Sequence, residues 1–262
     1  GAAVEAKGAG VLGEGGSLGF KLDWAANGPF RAGPVEIAGK AAGSGAITGT
    51  LSEPKADLLA DFDQVDVPRL PLKNAHVVLS FARRPDGSSG TVAVTADSSY
   101  GPARARSDFR FPEGGVDLTG LSLDAGGVRA DGALALRRKN PSAADLRVAL
   151  TQGALLDAGR VTGAVRIVDG AGGPVATLDL RAEAATPKGA NLKITSGRLT
   201  ANGPMSRLPY AIEASGLAQA GRWNIDGRGA LTDTRPEYAL TFEGAGKLGA
   251  RNLRTVEPAV FR

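Results

Sequence analysis

Few residues in this sequence could do chemistry. It has no Cys and a single His, His76, so a thiolate or multi-histidine metal site lacks ligands and carboxylates are the donors that remain. Asp61, Asp63 and Asp66 hint at calcium, yet the glycine and terminal Glu of an EF-hand loop are missing, and the three read as the polar face of a strand. Gly8-x-Gly10-x-x-Gly13 and Gly244-x-Gly246-x-x-Gly249 match a dinucleotide fingerprint in letters. Neither opens a helical pattern after a strand, so no helix N-terminus is there to cradle a pyrophosphate, and a chain with 38 Gly produces such matches by chance. Lys247 follows Gly246 without the spacing or the Ser/Thr of a P-loop. Paired carboxylates are the usual machinery of enzymes on β-scaffolds, but most of the 27 acidic residues alternate with apolar ones, as Asp179 and Glu183 do, which is the pattern of solubilising charge. His76, between Ala75 and Val77, falls on the outer face of a strand. The reading is a protein that is not an enzyme and holds no cofactor or metal.

Charge and hydropathy exclude two further classes. Lys and Arg exceed Asp and Glu by four, but the basic residues are scattered, with short clusters such as Arg83-Arg84, too diffuse for a dedicated nucleic-acid surface. No stretch approaches the roughly 20 consecutive apolar residues of a membrane-spanning helix. The start, GAAVEAKGAG, lacks an initiator Met and the apolar region of a signal peptide, and the chain reads as an internal segment of a longer protein. Two Trp and three Tyr are too few for the aromatic girdles of an outer-membrane barrel.

What remains is a ladder of apolar residues at every second position, the mark of strands with one apolar and one polar face. It includes Leu18, Phe20, Leu22 and Trp24; Val77, Leu79 and Phe81; Val128, Leu134 and Leu136; Leu146, Val148 and Leu150; Val161, Val165 and Ile167; Leu178 and Leu180. It continues through Leu192 and Ile194, Tyr210 and Ile212, Trp223, Ile225 and Leu231, to Leu240 and Phe242. Turn signals such as Gly114-Gly115 and Pro187-Lys188-Gly189 separate the runs. Lys55 to Val65 and Ala143 to Asp157 also carry four-residue apolar spacing, but their lengths and β-branched neighbours favour strands. Pro68 to Pro71 interrupts the sheet locally. The expected fold is all-β, a long curled antiparallel sheet with an apolar interior and few or no helices, running as a single elongated segment over residues 1–262. Roughly 15 strands at about 4.8 Å spacing make a sheet near 70 Å long, beyond what open sheets reach without curling.

The stretch 115–136, GVDLTGLSLDAGGVRADGALAL, resembles a recurring unit of the TamB family in the AsmA-like superfamily. In that unit a strand with spaced leucines turns at a small-residue pair into a strand reading apolar-x-A-x-G-x-L-x-L. Echoes stand at 191–203 (NLKITSGRLTANG) and 223–231 (WNIDGRGAL). The resemblance implies a periplasmic, inner-membrane-anchored protein whose curled sheet, a β-taco, bridges towards the outer membrane and carries phospholipid acyl chains. It also implies a link to outer-membrane protein assembly through an Omp85-type, TamA-like partner. The family's N-terminal anchor and its C-terminal domain find no match in this sequence, so both contacts would be made by parts absent from it.

On this reading the ladder residues, from Leu18, Phe20 and Leu22 to Leu240 and Phe242, line a lipid groove. The small residues among them, Ala130, Gly132, Gly163, Ala182, Gly227 and Gly229, either leave volume for acyl chains or permit tight sheet packing. The plain alternative is that the ladder is a packed core beneath a second layer. A further alternative is a scaffold or chaperone for outer-membrane β-barrel assembly or secretion, working by strand addition at sheet edges. The discriminating feature is whether anything covers the apolar face.

Overall fold

Alternation places every second side chain on the same side of an extended backbone, and here nearly every such run is a strand. The computed structural model describes residues 4–32, 35–67, 70–85, 87–138, 142–170, 172–233 and 238–261. Among them the only helical element is a three-residue 3₁₀ turn, Glu14–Gly16, and no helix is long and apolar enough to cross a membrane. The two stretches with four-residue spacing are extended: the first lies in the strand Pro54–Asp66, and the second is divided between Ala143–Leu150 and the strand Leu156–Val168. The all-β, open antiparallel architecture expected from the sequence is the one the chain adopts. Of the Pro68 to Pro71 interruption, residues 68 and 69 lie outside the described residues, and the flanking strands end at Asp66 and begin at Leu72.

The chain divides into two compact units, Gly1–Gly126 and Gly127–Arg262. The first contains β1 (Val4–Leu12), β2 (Ser17–Asn27), β3 (Phe30–Ala32), β4 (Val35–Thr50), β5 (Pro54–Asp66), β6 (Leu72–Arg84), β7 (Gly87–Ser98), β8 (Gly101–Phe111) and β9 (Gly115–Ala125). Each strand pairs antiparallel with the next, except that the short β3 sits beside β2 on the long strand β4. Register carries the apolar positions from strand to strand: Phe20 faces Ile47, Ile47 faces Ala56, and Ala56 faces Phe81. Irregularities in the pairing of β4 with β5, β6 with β7 and β8 with β9 bend the strands as β-bulges do. Towards one end of the strands small residues, Ala26, Ala41, Ala75, Ala96 and Ala103, pack with Trp24, Ile37 and Phe62 into closed clusters. Ser107, a buried polar residue of this face, is satisfied by donating to the carbonyls of Asp108 (2.9 Å) and Thr119 (3.0 Å).

The second unit contains β10 (Val128–Arg137), β11 (Ala143–Leu150), β12 (Leu156–Val168), β13 (Val175–Pro187), β14 (Leu192–Pro204), β15 (Arg207–Ala218), β16 (Gly221–Asp233), β17 (Tyr238–Leu248), β18 (Arg251–Arg254) and β19 (Ala259–Phe261). The strands from β10 to β17 form a meander in sequence order, and β18 and β19 both pair with β17. Two bulges shift the phase of alternation within a strand and so keep its apolar set on one face. Ala184, at φ 50°, lies where the register of β13 with β12 shifts between the pairs Ala158–Thr186 and Arg160–Glu183, and Thr195 is skipped between Ile194–Gly216 and Ser196–Ser215. Without the extra residue each strand would present its apolar set to the opposite face past that point.

Candidate functional site

Register decides which side chains share a face, and in the second unit it gathers the ladder onto one. Val128, Gly132 and Leu134 stand opposite Leu150, Leu146 and Ala144, and Leu136 follows in phase. Leu146, Val148 and Leu150 stand opposite Val165, Gly163 and Val161, and Ile167 stands opposite Ala144. Val165 and Gly163 stand opposite Leu178 and Leu180. Further along, Ile194 faces Gly216, Leu192 faces Ala218, Tyr210 faces Gly229, Ile212 faces Gly227, and Gly216 faces Trp223. Leu231 faces both Leu208 and Leu240, and Phe242 faces Gly229. In the first unit Leu18, Phe20 and Leu22 share one face with Gly49, Ile47 and Gly45.

Within each unit no second sheet and no helix, among the described residues, lies over this face. The consequence shows in the burial pattern. Among the described residues the most enclosed apolar side chains are mainly alanines, no large side chain is fully enclosed, and Phe20, Leu136, Leu192, Leu231 and Leu240 each stay more than a third exposed. A sandwich core of this length would bury such residues completely. A contiguous uncovered apolar face of this kind marks an interaction or ligand surface, since soluble monomers seldom expose one.

The face is concave near one end of β13 to β17. There Leu178, Leu199, Ala201, Leu208, Tyr210, Ile212, Ile225, Leu231, Leu240 and Phe242 surround a cavity of about 630 Å³ with almost no polar wall. Its one hydroxyl is occupied: Tyr210 Oη donates to the carbonyl of Thr241 at 2.7 Å, and burial pushes the phenol above its ordinary pKa. The cavity therefore offers apolar contact without directional hydrogen bonds. Val128, Leu134, Leu136, Leu146, Val148, Leu150, Val161, Val165, Ile167 and Leu180 lie on the same face outside this cavity, as do Leu192, Ile194 and Trp223 towards the other end of the strands. The Trp223 Nε1–H is enclosed and has no hydrogen-bond partner.

Three lining residues escape the sequence reading: Leu199, Ala201 and Leu208. Leu199 and Ala201 are odd-numbered where Leu192 and Ile194 are even, because the bulge at Thr195 resets the phase. Leu208 continues the alternation of Tyr210 and Ile212 backwards across Pro209 and was readable. The space beside the small residues is also resolved. At Gly229 a Cβ would strike the Thr241 carbonyl and the Tyr210 hydroxyl, and at Gly227 it would strike the Phe242 ring. Leu180 lies likewise over Gly163. These glycines permit tight packing of neighbouring large side chains across the strand, the aromatic-over-glycine device of curved sheets, and do not leave free volume there.

The opposite face is polar and paired. Arg198 grips Asp179 with two bonds (3.2 and 2.8 Å), Lys188 meets Asp157 at 2.8 Å, and Arg160 pairs with Glu183. Hydrogen bonds from Arg198 and from Lys188 hold the Asp179 and Asp157 carboxyls below the usual range. In the first unit His76 Nδ1 meets Asp61 at 2.7 Å, Asp63 accepts the Lys40 amide, and Asp66 accepts Gln64. The three aspartates thus serve different partners and do not converge. Gly8 and Gly10 lie within β1, and Gly244 and Gly246 within β17, on extended backbone.

No protein-family model, no curated protein and no solved structure matches this chain.

Proposed function

We propose that the uncovered apolar face holds and conducts lipid acyl chains, so that the chain acts as a non-enzymatic, bridge-like lipid conduit. The single observation that carries this reading is an apolar face without a covering layer, running unbroken from β10 to β17. Seven strand spacings of about 4.8 Å make that wall roughly 34 Å wide. Apolar contact is non-directional, so an acyl chain can slide along such a wall past no deep specific site, whereas release into water costs about 0.8 kcal/mol per CH₂. The polar face, with its ion pairs, keeps the other side of the sheet in water. Phospholipid as the cargo, a periplasmic setting and an Omp85-type partner follow from the resemblance to the TamB family and belong to the same proposal.

The test is mass spectrometry of lipids retained by the purified protein, compared with the Val165→Asp and Leu180→Asp variants. Retained phospholipid that falls in the folded variants supports the conduit. A wild-type protein free of lipid, or folded variants that retain as much as wild type, overturns it.

A further inference from the structure

One end of the strands β14 to β18 in the second unit is basic. At the end where β14 and β16 begin and β15 and β17 finish stand Lys193, Arg222, Lys247, Arg251 and, slightly further in, Arg254, all exposed. The stretches that build this rim, 191–195, 216–224 and 246–254, contain no Asp or Glu. The whole chain has 31 basic and 27 acidic residues, a net charge of +4, and without these five the remainder is 26 against 27. Register packs them across neighbouring strands: Lys193 faces Leu217, Leu217 faces Arg222, Lys247 faces Asn252, and Leu248 faces Arg251. None of the five is in an ion pair among the described residues, in contrast to Arg160, Lys188 and Arg198 nearby. Interleaved with them are Leu192, Leu217 and Leu253, at 38, 48 and 53% exposure.

We infer that this rim docks onto an anionic lipid surface. Unpaired cations attract the negative surface potential of a membrane, while exposed leucines set among them enter the headgroup region. A folded acidic protein would supply carboxylates for the cations but no apolar medium for three leucines spread over both sides of the sheet. The inference does not depend on the conduit reading, since it rests on the cations of the rim, and of its residues Leu192 alone belongs to the ladder.

The test is sedimentation of the full chain with vesicles of phosphatidylcholine alone and of phosphatidylcholine mixed with phosphatidylglycerol. Binding is expected only to the mixed vesicles and weakens as salt rises. The pair Arg222→Gln with Lys247→Gln, and separately Lys193→Gln with Arg251→Gln, should each weaken it about 30-fold, from about fivefold per basic residue near the surface. Arg166→Gln with Arg207→Gln, at the opposite end of the strands, should leave it unchanged. Lipid retained in the groove should be the same in all three pairs, which separates this inference from the conduit. Equal binding to neutral vesicles, equal loss in the Arg166 and Arg207 pair, or binding to polyglutamate without binding to vesicles overturns it.

Discussion

Replacing Leu231 with Asp separates an open groove from a covered core. Leu231 lies on the apolar wall, opposite Leu208 on one side and Leu240 on the other, and is 37% exposed. Full burial of a leucine side chain is worth about 1.5–3 kcal/mol, so truncating one that is roughly two-thirds buried removes about 1–2 kcal/mol. The new carboxylate stays hydrated in the empty protein because water already reaches this position. Under a second layer the same carboxylate would be stripped of water and unpartnered, at a cost of several kcal/mol. An acyl chain lying on the wall is such a layer. Either it desolvates the carboxylate or it withdraws, and withdrawing only two methylenes weakens retention more than tenfold. Urea unfolding should therefore show a lower midpoint with an unchanged slope, a stability loss of about 1–2 kcal/mol, while retained lipid falls more than tenfold. Arg181→Asp, on the opposite face, should change stability by about 0.5 kcal/mol or less and leave lipid unchanged. A loss above about 4 kcal/mol in Leu231→Asp would refute the uncovered face, and wild-type lipid content in the folded variant would refute the conduit.

Two other perturbations follow from the geometry. Gly229→Val drives a side chain into the Thr241 carbonyl and the Tyr210 hydroxyl, and urea unfolding should show a loss of about 2 kcal/mol or more. Asp157 and Asp179 have carboxyls depressed below their ordinary value of 3.8 in the folded protein. Their contribution to stability is fully present above that value and disappears as pH falls through the lower folded values. The thermal midpoint should fall on acidification below about pH 4, and Asp179→Asn should flatten part of that fall; a midpoint equally acid-sensitive in the variant would show that the Arg198 pairing contributes nothing.

The apolar face was legible in the sequence where side-chain size kept the alternation visible, and hidden where the fold uses small residues as a floor. Tyr210, Ile212, Trp223 and Ile225 announce their face by type. The long strand β4, VEIAGKAAGSGAITGT, offers no such ladder. The reason lies in its neighbours: a Cβ at Gly43 would strike the Trp24 indole and the Leu59 carbonyl, and one at Gly45 would strike the Leu58 side chain. A large residue on one strand demands a small one on the next, so the hydrophobic signal of Trp24 and Leu58 is written on their own strands and erased from the strand between them. Bulges hide the rest: the skipped Thr195 moves Leu199 and Ala201 out of phase with Ile194, although all three share a face. Alternation within one strand therefore reveals an apolar face, but its continuity across strands depends on paired sizes and on where the extra residues fall. The same size pairing lets the sheet curve without a second layer, because Tyr210 and Phe242 cover the backbone at Gly229 and Gly227 that a facing sheet would otherwise have to cover.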